Sequence, residues 1–352
     1  KISLKANRNY SENYSENFIV VDNQYNPLSP NSFGNFEIST VLIKTSFSKS
    51  DENYSETFKD FQDNRLIIAQ RLAALNGDSS GTVDEFGFPI GYGKNNQAVL
   101  IPSFLSAYSG KNAENISLNA ITNNPLPNWS INYSGLINID FFKERFKKFS
   151  LGHAYRSSYT LNNFKSNLEY NPSNTQLTDD SGNYINEFLY TNINLVEQFN
   201  PLLKIDMELN NSLQIVMSLK KDRALSLSLD NNLLTESNGT DYSIGLGYRI
   251  KDLKFTNRVG GKRRVSKGDL NIKTDLNFRD NITIIRNLNI EDNKVTAGQK
   301  MWSLKTSADY NLSKSFNAIF FYDHLFSKFA ISTAFPMTTI RAGMTLRYNF
   351  GE

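Results

Sequence analysis
The chain is dominated by a period of two. From Leu203 to Phe350 nearly every second residue is apolar, and those between are polar or small. Successive side chains of an extended strand point to opposite faces, so the alternation predicts strands with one dry and one wet face. Leu203, Ile205, Met207 and Leu209 interleave with Lys204, Asp206 and Glu208. Leu213, Ile215, Met217 and Leu219, then Leu225, Leu227 and Leu229, keep one parity, which predicts a single long strand over 213–229. Lys221 and Arg223 interrupt its apolar side, and alternation alone gives no account of them. Further sets run from Tyr242 to Ile250, through Leu253 and Phe255, and from Leu270 to Phe278. A less regular strand starts near Ile282, followed by Trp302 to Leu312, Phe316 to Tyr322, and Thr338 to Phe350.

Composition says what the dry face meets. Only 39% of the 352 residues are hydrophobic and the mean hydropathy is −0.44, yet there are 25 Phe and 17 Tyr. Such a mixture suits a barrel wall with lipid on one side and a wet lumen on the other. No run approaches the length of a transmembrane helix, so any membrane crossing must be made by strands. The chain has no cysteine, which removes disulfides, thiolate metal sites and cysteine nucleophiles. A net charge of +3 gives no argument for nucleic acid. Lys262-Arg263-Arg264 beside Gly260-Gly261 reads as a solvated loop tip. No signal peptide is recognisable and Lys1 already lies in a strand-like stretch, so further sequence is expected before it.

The connections predict an orientation. Asn210-Asn211-Ser212, Lys251-Asp252, Arg279-Asp280-Asn281 and Ser313-Lys314-Ser315 read as tight turns, and the segments around 230–240, 260–268, 291–300 and 325–337 as longer loops. Outer-membrane barrels carry short turns on the periplasmic side and long loops outside. The last strand then runs inward, leaving Glu352 on the periplasmic side, and its ending Leu346-Arg347-Tyr348-Asn349-Phe350 sets aromatics at the interface. Expected on the lipid face are Leu270, Ile272, Leu276, Ile340, Met344, Leu346 and Phe350. Expected toward the lumen are Lys204, Asp206, Glu208, Lys273, Asp275, Lys305, Asp309, Arg341 and Arg347, whose mixed signs suit a wide aqueous conduit better than a pore selective for one small ion.

The first half is less regular. Ile2, Leu4 and Ala6, then Phe36, Ile38 and Thr40, then Trp129, Ile131, Tyr133 and Ile137, and finally Leu151 to Leu161, give strand-like pieces. Between them the period changes: Glu56 to Leu75 reads as an amphipathic helix stopped by Asn76-Gly77, with Gly- and Asn-rich loops up to Pro125-Leu126-Pro127. We therefore expect barrel strands over 1–49, a non-barrel insertion over 50–127, and barrel strands over 128–352. The fold class is all-β, antiparallel transmembrane barrel strands with a mixed helical and loop insertion. Loop backbone would be unsatisfied in lipid, so the insertion should sit outside the membrane or inside the lumen.

Little in the chain suggests covalent chemistry. His153 with Ser157 or Ser158 is the one candidate nucleophile pair, but residues that far apart on one strand are separated by more than about 12 Å. Glu56, Asp60 and Asp63 stand at helical spacing with Lys59 and Arg65, the pattern of a solvated face. Asp78 to Asp84 lacks calcium-loop spacing. No catalytic residue, cofactor or metal is expected.

Several stretches resemble the C-terminal region of the SprA/Sov family, the outer-membrane translocon of the type IX secretion system of Bacteroidetes. They are Asn7 to Phe18 (NRNYSENYSENF), Phe58-Lys59-Asp60-Phe61 with Asn64-Arg65-Leu66, Gly152 to Ser157, Glu197 to Leu202, Leu233 to Glu236, and Gly245 to Arg249. The resemblance implies a very large barrel that passes folded cargo proteins across the outer membrane and opens sideways. The largest single-chain barrel known has about 36 strands. Implied partners are the remainder of the same barrel, a PorV-type cargo-shuttle barrel, a plug-like protein, secreted cargo and outer-membrane lipid. Independently, the alternating segments number about 13, whereas complete single-chain bacterial barrels have even counts. The alternative is a self-contained barrel of about 14 strands acting as a small-solute transporter or surface enzyme. A soluble β-rich adhesin is a third reading, which the short-long loop alternation opposes.

Overall fold
The computed structural model describes residues 1–27, 31–77, 81–259, 262–290, 292–311, 316–331, 335–348 and 350. Alternation becomes sheet over most of them. The first strands are β1 (Ile2–Lys5), β2 (Arg8–Ser15), β3 (Phe18–Val21), β4 (Gln24–Pro27) and β5 (Asn31–Ser39). After the helices α1 (Glu56–Leu75) and α2 (Gln97–Ser109) come β6 (Asn128–Tyr133), β7 (Phe146–Ser166), β8 (Phe188–Leu189) and β9 (Asn192–Leu209). The C-terminal run is β10 (Leu213–Ser228), β11 (Leu233–Val259), β12 (Lys262–Asn287), β13 (Asn293–Asn311), β14 (Phe316–Phe329) and β15 (Met337–Tyr348).

Thirteen strands share one antiparallel sheet, in the order β1-β6-β7-β9 and then consecutively from β10 to β15. β6 and β5 both pair with β7, lying end to end along it, and β1 and β2 continue the same arrangement one place further out. The protein is thus all-β, with one long insertion leaving the sheet between β5 and β6. β3 and β4 form a separate hairpin whose turn residues, Asp22 and Asn23, both take positive φ. Among the described residues β15 pairs only with β14, and β1 and β2 pair only with β6 and β5, so both edges of the sheet are open.

Strand length is where the sequence reading needs correction. Lys251-Asp252 and Arg279-Asp280-Asn281 are not turns; they lie inside β11 and β12. At the first, a bulge between Ile250 and Leu253 absorbs the polar pair, and Asp269 accepts from the Asp252 amide while pairing with Arg249. At the second, Arg279 meets Asp241 at 3.4 Å and Asp280 meets Lys300 at 3.1 Å, so the polar triplet has partners on both neighbouring strands. Among the described residues the long loops expected over 230–240, 260–268 and 291–300 are mostly strand, whereas within 325–337 β14 ends at Phe329 and β15 begins only at Met337. Gly260-Gly261, Ser313-Lys314-Ser315 and Glu352 lie outside the described residues. The expected long strand over 213–229 is present as β10.

α1 has the expected bounds. Ser55 caps it by accepting from the Phe58 amide at 3.3 Å, and Gly77 follows with φ +71. The insertion leaves the sheet after Ser39, earlier than expected, and contains the unexpected α2. Asn96 caps α2 by accepting from Ala98, and Gly110 ends it with φ +62. Its sequence, QAVLIPSFLSAYS, is uncharged, carries Pro102 and has only small serines between its apolar residues, so it shows no charged face opposite an apolar stripe; such a helix must be buried, and Leu100, Ile101, Phe104 and Tyr108 are. They pack with Phe61 of α1 onto Tyr159, Leu161, Ile193, Leu195 and Leu227 of the sheet.

Candidate functional site
Register turns the alternation into a surface. Facing residues across the sheet fall into rows, and within β9 to β15 the rows of one face form an uncharged, largely apolar band, with Thr274 and Thr306 facing each other inside it. Leu219, Tyr242, Phe278, Trp302 and Phe326 are successive partners. The next row is Met217, Ile244, Leu276, Leu304, His324 and Ile340. Below it, Leu213, Tyr248, Ile272, Ala308, Phe320 and Met344 form another. No Asp, Glu, Lys or Arg occupies this face over 270–278 of β12 and 302–310 of β13, about the nine residues a tilted transmembrane strand needs, and the uncharged stretch of β10 runs from Leu213 to Leu219. The band is rimmed by rings. Tyr242 lies 6.2 Å from Phe278, and Trp302 lies 4.6 Å from His324 and 6.2 Å from Phe326; at the other rim Phe316 lies 6.3 Å from Tyr348. The row beyond the first rim changes character to Lys221, Thr240, Asp280, Lys300 and Lys328.

The opposite face is polar. Asp275, Lys305, Asp323 and Arg341 are successive partners in one row, so charge alternates in sign across four strands, and Arg341 meets Asp323 at 3.0 Å. Lys148 meets Asp206 at 2.7 Å on the same face. Opposite charges directly facing one another stabilise a sheet modestly and leave no patch of one sign. Among the described residues no helix packs on this face.

The predicted residues separate by parity. Lys204, Asp206, Glu208, Lys273, Asp275, Lys305, Asp309, Arg341 and Arg347 share the polar face. Leu270, Ile272, Leu276, Ile340, Met344 and Leu346 share the apolar one. Phe350 lies beyond β15, 91% exposed, with its ring 4.7 Å from Tyr348.

Two buried ion pairs escaped the sequence reading. Arg223 and Glu197 stand 3.0 Å apart, and so do Arg286 and Glu236, all four side chains almost wholly buried on the apolar face. The insertion covers them. Arg223 donates to the Thr45 carbonyl at 2.9 Å and to its hydroxyl at 3.0 Å, while Glu197 accepts from Ser46 at 2.6 Å and Tyr155 at 2.7 Å. Arg286 donates to Ser50 at 3.0 Å and to the Asp51 carbonyl at 2.8 Å, and Ser50 donates to Glu236 at 2.7 Å. Arg223, one of the two charges that broke the apolar parity of β10, is therefore part of a clamp, and the two clamps fix 45–51 to the sheet. Their signal was present in the sequence as charges of both signs on one parity, but their partners are far away in it. The insertion lies on the apolar face, beyond the band, and not over the polar one.

The remaining candidates form no catalytic constellation. His153 packs between Trp129 and Phe199, each ring 6.3 Å away, and its Nδ1 lies 2.7 Å from the Leu202 carbonyl. Burial, with Glu56 and Asp63 adding repulsion, pushes the Asp60 carboxyl above the ordinary range. Asp84 caps a turn by accepting from the Phe86 and Phe88 amides, both at 2.8 Å. Among the described residues no group of three or more His, Cys, Asp or Glu is placed to hold a metal. In comparison with known proteins, no family model and no curated protein matches the chain.

Proposed function
We propose that this chain is part of the wall of a wide, water-filled outer-membrane channel that conducts proteins, the reading its resemblance to the SprA/Sov translocon suggests. The observation that carries it is the sorting of side chains by register: an uncharged band with aromatic rims on one face, and charges alternating in sign on the other. Lipid suits the first surface, and a hydrated, non-adhesive path for polypeptide suits the second. Open edges at β1/β2 and β15 leave room for further strands, as a larger barrel requires. On this reading the insertion stands outside the lumen, against the outer side of the wall, and neither plugs nor caps the path. The partners would be the rest of the barrel, a PorV-type shuttle, a plug-like protein and exported cargo. No step of covalent chemistry is assigned to the segment.

This chain carries no cysteine, so single cysteines placed in it report on its two faces. Single cysteines at Asp275 and Thr345 should react in membranes with a water-soluble maleimide, while those at Leu276 and Met344 should react only with a lipid-soluble one. A bulky polyethylene-glycol maleimide attached at 275 should then block export of folded cargo in cells. Equal reactivity of the two faces would end the wall reading. Blocked uptake of small solutes with cargo export unchanged would move the function to the solute-transporter alternative.

A further inference from the structure
One part of the insertion reaches the rim of the apolar band. Thr45 and Ser46 are held in the Arg223–Glu197 clamp, which leaves their neighbours Ile43, Lys44, Phe47 and Lys49 exposed. Phe47 is 58% exposed, although its ring lies 5.6 Å from that of Phe199 and the Lys221 ammonium lies 4.3 Å from its centroid. Phe199 and Lys221 are partners in the row immediately beyond the band. In the last row of the band β9 and β10 place Leu203 and Leu219, whereas the next four strands place Tyr242, Phe278, Trp302 and Phe326. On this flank the sheet's own rings, Phe199 and its partner Tyr155, stand one row further out and are buried, and Phe47 lays an exposed ring over Phe199 from outside the sheet.

We propose, resting on the reading of the sheet as a membrane wall, that residues 43–49 form an interfacial foot that docks the phosphate-bearing headgroup of a membrane lipid. An aromatic ring with one side exposed beside an ammonium gains little in water and is favoured at the headgroup level, where its apolar body and a neighbouring cation both find partners. The foot adjoins the apolar band, and its cations complement a phosphate: Lys221 lies over Phe47, Lys44 is exposed and, among the described residues, held only by the Gly110 carbonyl at 3.4 Å, and exposed Lys49 meets Asp51 at 3.4 Å. The same row continues with Lys300, paired with Asp280 at 3.1 Å, and with Lys328, which makes no ion pair among the described residues. The occupant is a lipid because the foot lies at the margin of the lipid-facing band.

The test uses the full-length protein in nanodiscs of phosphatidylcholine containing lipid A, whose phosphomonoesters supply the headgroup, with retained lipid counted by native mass spectrometry. Changing Lys44→Gln and Lys49→Gln together should lower lipid A retention by roughly fivefold or more, and leave phosphatidylcholine retention unchanged. Lys204→Gln, on the polar face, should leave both unchanged. Phe47→Trp should retain lipid A as the wild type does, and its emission should be quenched by brominated acyl chains. Equal lipid A retention in wild type and lysine variant, or an emission that stays unquenched while an added soluble protein fraction shifts it, would overturn the foot. Failure of the wild type to enter the discs at all would instead remove the wall reading, and the foot with it.

Discussion
The two buried arginines carry the most information per residue. Taking one partner from a buried ion pair strands the other charge, a loss of roughly 3–5 kcal/mol. Arg286→Ala should therefore lower the urea midpoint of the insertion sharply, while Arg286→Met combined with Glu236→Leu should restore much of it. If the double variant is as unstable as the single one, the pair contributes more than charge compensation. Tyr108 gives a pH signature. Burial pushes its hydroxyl far above the ordinary phenol range, with the Glu236 carboxylate acting in the same direction. The folded chain keeps this proton while the unfolded chain loses it near pH 10 (about its free value), so stability is level below that pH and falls above it. In urea titrations followed by helical circular dichroism, Tyr108→Phe should flatten the alkaline fall; an unchanged curve would remove Tyr108 as its source. The sequence showed Arg223 only as an interruption of the apolar parity, because Arg223 and Arg286 acquire their meaning from Thr45, Ser50 and Asp51, brought to them only by folding.

Among elements, parity was legible and strand ends were not. Alternation survives bulges that insert residues on one strand, as between β9 and β10 at Leu219/Lys221, because the faces stay in phase on either side. Polar triplets such as Arg279-Asp280-Asn281 look like turns when partners on adjacent strands are out of view. α1 could be read from its cap, stripe and stop; α2 could not, because a helix buried all round has no stripe to show. The band makes a directional prediction. Leu276→Arg or Met344→Arg should cost about 2–4 kcal/mol in reversible folding into bilayers, and Asn271→Arg or Thr345→Arg almost nothing. Equal penalties on both faces would contradict a lipid-facing band. For α1, Ser55→Ala should cost about 1 kcal/mol by loss of the bond to the Phe58 amide, measurable as faster amide exchange in the first turn.

At the scale of the whole molecule, a continuous uncharged band should hold detergent. The purified chain should need it to remain monodisperse, and a sample that stays monodisperse in plain buffer would argue against the membrane reading. The split place in the sheet has a different consequence, one of timing. From β9 to β15 each strand meets its sequence neighbour across a short connection, so these hairpins can zip without waiting for distant chain. At the other edge Ile2 faces Ile131 and Arg8 faces Ile38, and the two halves of one wall position, β5 and β6, are separated in the chain by the whole insertion. Long-range closure of this kind is slow because loop entropy is lost before contacts form. The N-terminal edge is therefore expected to form later than the β9 to β15 hairpins, because the pairing of β1 with β6 must close a loop that contains α1 and α2.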